Sequence, residues 1–346
     1  MPSPTTSPTT SSTTSPISDP VDSPVTSPSS SGGARLAVRS LRKVYTGRGE
    51  PVEAIADLTF EVRPGELVCV VGPSGAGKTT LLRCMAGLLA PTSGEVVLGE
   101  TAITGPPQGM AVVLQEYGRS LFPWMTVAQN VELPLKEKGV AKARRTELVN
   151  ETLEAVGLGD VAGSYPWQLS GGMQQRVAIA RAAAYEPQVL LMDEPFAAVD
   201  AQTRFDLEDL VRTLWKRLGI TVVFVTHDID EAIYLGERVL VLSARPTVVL
   251  EDVEVGLGAD RDQLETRGDV EFARLRTHVY ELVQQAKKGV RTLAEAHLTH
   301  PARVADEAVA DEPVADELVA DELVADELVA DEPAPLPTSG AADDRG

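Results

Sequence analysis

Apolar residues gather in three short, nearly continuous runs, each closed by glycine or polar residues: LVCVVGP (67–73), VLLMDEP (189–195) and TVVFVTHD (221–228). A run without polar alternation predicts a strand covered on both faces, as in a parallel sheet. Between the runs, apolar positions recur at helical spacing in TTLLRCMAGLL (79–89), ELVNETLEAVGL (147–158) and MQQRVAIARAAA (173–184). Strands alternating with helices predict an α/β architecture. RLAVRSLRKVY (35–45) and VEAIADLTFEVR (52–63) read as antiparallel strands, and RVLVLSARPTVVLEDVEV (238–255) as a pair turning near Arg245-Pro246. The stretch 116–188 is mostly helical and interrupts the sheet, which predicts an inserted subdomain. Phe272, Leu275, Val279 and Leu282 recur at helical spacing and are read as a packing face.

Both ends leave this pattern. Of the first 30 residues, 10 are Ser, 7 are Thr and 7 are Pro. Such a segment cannot bury enough apolar surface to offset its ordering entropy, so 1–33 is expected to be a disordered tail. From Val304 to Glu332 the unit VADE occurs six times with a period of five. That period matches neither a helix nor a coiled coil. Residues 291–346 are therefore expected to be a linker and a disordered acidic tail.

Charge changes the picture once it is divided. The whole chain is −20, with 31 Lys+Arg against 51 Asp+Glu, but residues 301–346 alone hold 14 acids and 2 bases. The body carries only −6 and has no basic excess with which to neutralise phosphates, so a nucleic-acid partner is not expected. Two cysteines, Cys69 and Cys84, supply no disulfide framework and are read as core residues. No apolar run approaches the ~20 residues of a membrane span, and the N-terminus has no secretory pattern, so a cytoplasmic chain is expected. His297 and His300 are three apart, but no third ligand lies near to complete a metal site.

The candidate chemistry begins at GPSGAGKT, Gly72 to Thr79, which fits G-x-x-x-x-G-K-[ST] between a buried strand and a helix. Glycines let the backbone wrap an anion with its N–H groups inward, and the helix start adds positive potential. Lys78 can reach the β- and γ-phosphates, and the Thr79 hydroxyl can ligate Mg²⁺. Asp193 ends an apolar strand, where it can hold Mg²⁺ through water, and Glu194 beside it can act as general base on water. Such an acid pair at a strand end is as often structural as catalytic. LSGGMQQR, Leu169 to Arg176, opens a second helix with a hydroxyl and free N–H groups. Alone it reads first as an N-cap. As a phosphate site it needs a head-to-tail dimer, with the loop of one subunit and the Ser-Gly-Gly turn of the other on one γ-phosphate.

The ordered set GPSGAGKTT, Gln115, LSGGMQQR, LLMDEP, AAVD and THD resembles the ATP-binding subunit of an ABC transporter over about 34–290. The resemblance implies a P-loop NTPase (RecA-like) core with an antiparallel β subdomain and a helical subdomain at about 116–188. It implies ATP held by Gly72, Pro73, Ser74, Gly75, Ala76, Gly77, Lys78, Thr79 and Thr80, with Tyr45 stacked on adenine. Mg²⁺ would be held by Thr79, Gln115 and Asp193, with Glu194, His227 and Gln115 catalytic. Ser170, Gly171, Gly172 and Gln174 would meet the partner subunit's ATP, and Asp200 would serve communication across the dimer. EYGRSLFPWMTVAQNV (116–131), LSARP (242–246) and RGDVEFARLRTHVYELV (267–283) are similar to the nitrate, sulfonate and taurine importer branch. Two departures from the usual pattern are Trp167, where His is common, and Ala197-Ala198-Val199-Asp200, where Ser-Ala-Leu-Asp is common.

An importer ATPase implies a second copy of itself, integral membrane permease subunits and, indirectly, a solute-binding protein. It would lie on the cytoplasmic face of the membrane as a peripheral subunit. Leu121, Phe122, Pro123 and Trp124 form an apolar cluster just after Gln115. It is either part of the subunit's own core or a permease contact through Phe122 and Trp124. The rival readings are an ABC-type ATPase without a transporter, an importer ATPase for a thiamine-type pyrimidine, and a P-loop kinase. A kinase has no use for LSGGMQQR.

Overall fold

A computed structural model of the chain describes residues 32–46, 50–115 and 120–289. The readings of the two ends, including His297 and His300, otherwise lie outside these residues. One boundary moves. Gly33 N–H donates to the Gly219 carbonyl at 2.7 Å, so the packed body already includes a residue assigned above to the tail.

Among the described residues ten strands form two sheets. The first holds β1 (Leu36–Tyr45), β2 (Val52–Val62), β4 (Ser93–Leu98) and β5 (Thr101–Ala102), in the order β2-β1-β4-β5, and its pairs are antiparallel. The second has the order β10-β9-β3-β8-β7-β6, from β3 (Leu67–Val71), β6 (Met110–Val113), β7 (Val189–Asp193), β8 (Thr221–Val225), β9 (Arg238–Leu242) and β10 (Val249–Glu254). Its five strands from β9 to β6 are parallel, and β10 closes the edge antiparallel to β9.

The continuous apolar runs have the expected cause. Leu67, Cys69 and Val71 of β3 face one apolar cluster, and Val68 and Val70 face the other. The same division holds for Leu190 and Met192 against Val189 and Leu191 on β7. One cluster lies between the two sheets and holds Leu81, Leu82, Cys84 and Met85 of α1 (Lys78–Met85). The other takes the remaining helices: α2 (Val127–Glu137), α3 (Lys142–Ala155), α4 (Gly171–Ala184), α5 (Ala201–Leu218), α6 (Ile229–Leu235) and α7 (Val270–Lys287). Phe272, Leu275, Val279 and Leu282 are buried there, and both cysteines are buried in the core, as expected. Burial pushes both thiols up, so they stay protonated and inert.

Helices α2, α3 and α4 lie between β6 and β7 in the chain and pack on one another. Asn130 of α2 is fully buried and holds the loop before that helix. Its amide donates to the carbonyls of Phe122, Met125 and Thr126, and its Oδ1 accepts from Phe122 N–H at 2.8 Å. Thr126 and Gln129 complete a reciprocal cap on α2. Among the described residues no helix is long and apolar enough to cross a membrane.

Candidate nucleotide site

The C-terminal ends of the parallel strands place the site. After β3 the chain turns through Gly75 and Gly77, both left-handed, with φ of +77° and +79°. A Cβ on Gly77 would sit 3.2 Å from Thr247 Oγ1 and 3.3 Å from the Ala54 carbonyl, a tight fit that adds to the demand for glycine set by φ. Gly77 caps α1 without any side-chain bond. The first N–H groups of α1 therefore point at the loop with no side-chain acceptor, the arrangement that binds an anion. Lys78 is buried, and its Nζ donates to the Gly72 carbonyl at 3.0 Å and lies 3.5 Å from Glu194 Oε1.

The strand ends supply the acids. Asp193, the last residue of β7, is 4% exposed. Burial pushes its carboxyl up, while the Thr79 hydroxyl, donating to Oδ1 at 3.4 Å, opposes this. Glu194 leaves the strand at φ +43°, a conformation that non-glycine residues rarely adopt and one that marks functional turns. Its N–H is held by the Val225 carbonyl of β8 at 2.8 Å. Its carboxylate gathers three groups far apart in sequence. Oε1 faces Lys78, while Oε2 accepts from Gln115 Nε2 at 3.4 Å and lies 3.0 Å from His227 Nδ1.

Tyr45 is 42% exposed, and its hydroxyl lies 3.2 Å from Thr80 Oγ1, so its ring sits beside the phosphate loop. The Ser-Gly-Gly turn is a separate locus. Ser170 caps α4 by accepting from Met173 N–H at 3.3 Å, and the Gln174 amide donates to the carbonyls of Pro166 and Leu169. Among the described residues, no hydrogen bond or ion pair joins Ser170–Gln174 to Gly72–Thr80. Gly172 abuts α5: a Cβ there would lie 2.5 Å from Thr203 Cγ2. Thr203 is in turn fixed by Asp200, whose carboxylate caps α5 at 3.0 Å from Thr203 N and accepts from its hydroxyl at 2.7 Å. These two bonds hold the Asp200 carboxyl below its usual range.

Comparisons with known proteins identify the family. The family model described as ABC transporter matches residues 55–197. An ABC transporter ATP-binding protein of Methanocaldococcus jannaschii is 45% identical over 250 residues, covering 72% of this chain and 91% of that one. This chain belongs to the ABC transporter ATP-binding family. The nitrate import ATP-binding protein NrtD of Synechocystis is 43% identical, covering 67% of this chain and 86% of its own. The taurine import ATP-binding protein TauB of Roseobacter denitrificans is 42% identical, with 68% and 88% covered. A solved dimeric ATP-binding cassette in a post-hydrolysis state, bound to ADP and Pi, superposes with a TM-score of 0.58 at 33% identity. The match covers 64% of this chain and 100% of that one.

As an ABC ATPase the chain carries supports that its motifs did not announce. Arg245 Nε donates to the Gly75 carbonyl at 2.7 Å, and the Thr247 hydroxyl donates to the carbonyls of Ala54 and Ala76. The β9–β10 turn thus buttresses the phosphate loop from 170 residues downstream. LSARP signalled only a subfamily in the sequence; the contact exists because β9 pairs with β3. The apolar cluster after Gln115 is split. Leu121 is core, whereas Trp124 is 69% exposed and packs on Phe122 with ring centroids 5.5 Å apart. Among the described residues Trp124 is therefore not part of the core. Trp167 is equally exposed and stacks on Tyr165 at 6.1 Å. The segments that carry the two pairs are joined where Val127 N–H donates to the Ser164 carbonyl at 2.8 Å.

Proposed function

We propose that this ABC ATPase is the nucleotide-hydrolysing subunit of an importer for a small anionic solute such as a sulfonate, taurine or nitrate. The observation that carries the ATPase site is the Glu194 carboxylate, which gathers Lys78, Gln115 and His227. The names of the nitrate and taurine import relatives support the solute class. Residues 34–290 would form the ATPase domain, with 116–188 as its helical subdomain.

In this reading the phosphate loop, Gly72–Thr80, cradles the triphosphate, and Tyr45 covers the adenine. Lys78 exchanges its loop carbonyls for phosphate oxygens. The donor set fits Mg²⁺: the Thr79 hydroxyl and the Asp193 carboxylate face each other as hard oxygen ligands, with Gln115 nearby. When bound, the ion neutralises charge on the β- and γ-phosphates. Glu194 takes the proton of the attacking water, and His227 orients that water and the γ-phosphate. Ser170, Gly171, Gly172 and Gln174 act on the ATP of a second copy, and Asp200, tied to Gly172 through Thr203, relays between the two sites. The partner dimer and the cytoplasmic membrane face belong to the same reading. Phe122 and Trp124 contact the permease.

Reconstitution with a permease and its solute-binding protein tests this. ATP hydrolysis should rise when the binding protein carries a sulfonate, taurine or nitrate, and labelled solute should enter the vesicles. Hydrolysis indifferent to all three solutes would reject the solute class while leaving the ATPase intact.

A further inference from the structure

Behind Glu194 and His227 lies a small space lined by Arg204, Thr226, Asp228 and Glu231. Glu231, on the first turn of α6, is 4% exposed. The arginines around it have other ion-pair partners, although Arg204 Nε is buried without a hydrogen-bond partner. From α5, Arg204 Nη1 pairs with Asp228 Oδ2 at 3.0 Å. Arg267, in the connection before α7, pairs with the fully buried Glu208 of α5 at 2.7 Å and reaches Asp230 of α6 at 4.0 Å. Arg276 of α7 reaches the same Asp230 at 3.8 Å. On the sheet side the buried Cys69 thiol of β3 is close enough for a charge on Glu231 to push it up further. Arg212 and Arg261 sit at the far end of α6, on its last carbonyls. Among the described residues Glu231 has no ion pair.

A carboxylate buried without a counter-ion costs more than keeping its proton. Burial pushes Glu231 up to about 8; the bond to Thr226 and the charge on Arg204 lower it, and the charges on Glu208 and Asp228 raise it further. Glu208 Oε1 is itself a buried acceptor without a hydrogen-bond partner. A neutral acid at 231 brings an O–H donor into this junction, where an ionised one would bring a further unpaired negative charge.

The group is tied to the catalytic turn. Asp228 Oδ1 accepts the Glu231 N–H at 3.1 Å, and the Asp228 N–H donates to Thr226 Oγ1 at 3.0 Å. His227 stands between these two residues, with its ring on Glu194. Whatever shifts the first turn of α6 against α5 shifts that imidazole.

We propose that Glu231 is a positioning residue: as a neutral carboxylic acid it holds the first turn of α6 against α5 and so keeps His227 on Glu194. The inference rests on the reading of Glu194 and His227 as the hydrolytic pair. Steady-state ATPase kinetics of the full chain, followed through pH 8, test it. Glu231→Gln is neutral at every pH. It should keep kcat within about threefold of the wild type at pH 7 and lack the fall in kcat that the wild type shows near pH 8. Glu231→Ala should lose about tenfold or more in kcat while KM for ATP stays within about twofold, with unchanged circular dichroism. A Gln variant that is inactive at pH 7, or one whose pH profile superimposes on the wild type, overturns the proposal. So does a folded Ala variant with wild-type kcat; if Ala does not fold, the Gln comparison alone decides. His227→Ala, run in parallel, separates the two readings. Full activity there removes the hydrolytic pair itself. An inactive His227→Ala beside coincident wild-type and Gln profiles removes only the role of Glu231.

Discussion

His227 Nδ1 lies 3.0 Å from Glu194 Oε2, although 33 residues separate them. The contact exists because β7 and β8 are parallel neighbours, with Asp193 in register with Val225, so both chains leave the sheet at the same edge. The strained backbone of Glu194 then turns its carboxylate across that edge toward Lys78 and Gln115. A carboxylate held by three partners is already oriented, which would reduce the reorganisation needed if it serves as the base proposed above.

Glu194→Gln should bind ATP as tightly as the wild type but lose on the order of 10²–10⁴ in turnover, because an amide cannot accept the proton of water. An ATP-stabilised dimer should then accumulate, visible by size-exclusion chromatography with ATP and Mg²⁺. Wild-type hydrolysis by this variant would remove Glu194 as the base. Lys78→Ala, by contrast, should weaken nucleotide binding itself, read by equilibrium binding of a fluorescent ATP analogue.

Asp193→Asn replaces a buried carboxylate that faces the Thr79 hydroxyl. The Mg²⁺ concentration for half-maximal ATPase activity should rise by about tenfold or more, with the fold retained by circular dichroism. An unchanged Mg²⁺ dependence would place the ion elsewhere. Chelation of Mg²⁺ should stop turnover of the wild type.

Stability should carry the signature of Glu231, whose carboxyl moves from 4.5 to about 8 on folding. Between those values the folded chain holds a proton that the unfolded chain releases. This contribution is therefore fully present below about pH 4.5 and is lost as pH rises toward about 8. Glu231→Gln has no such loss. Melting temperatures measured at several pH values from 5 to 8 should diverge progressively in favour of the variant. A constant difference across that range would mean that Glu231 is ionised in the folded chain.

Phe122→Ala combined with Trp124→Ala should spare folding and basal ATPase activity of the isolated subunit and abolish co-purification with the permease. Trp124 is exposed and Phe122 is half-buried against it, and aromatic anchors carry much of an interface's energy. Normal assembly by the double variant would reject this docking surface; unfolding of the isolated subunit would show that the pair belongs to the core.

Chemistry that resides in one continuous segment was legible in the sequence. The phosphate loop needs its glycines, Lys78 and Thr79 in one turn between a strand and a helix, so spacing alone announces it. Double-sided burial likewise demands unbroken apolar runs, which is why β3, β7 and β8 could be read directly. The short strands β4, β5 and β6 and the helices α2, α5 and α6 were not among the elements read. β4 is half exposed and α6 spans only seven residues, so their periodicity is weak. Contacts between distant segments were decided only by tertiary structure. Strand order put His227 on Glu194 and Arg245 under Gly75, and the loop that Asn130 holds exposes Trp124 while Leu121, three residues away, is buried. The protonation of Glu231 belongs to the same class. Sequence displays one more acid on a helix, but its charge depends on how α5, α6 and the segment carrying Arg267 close around it, because desolvation and the pairing of neighbouring ions are properties of the folded surroundings.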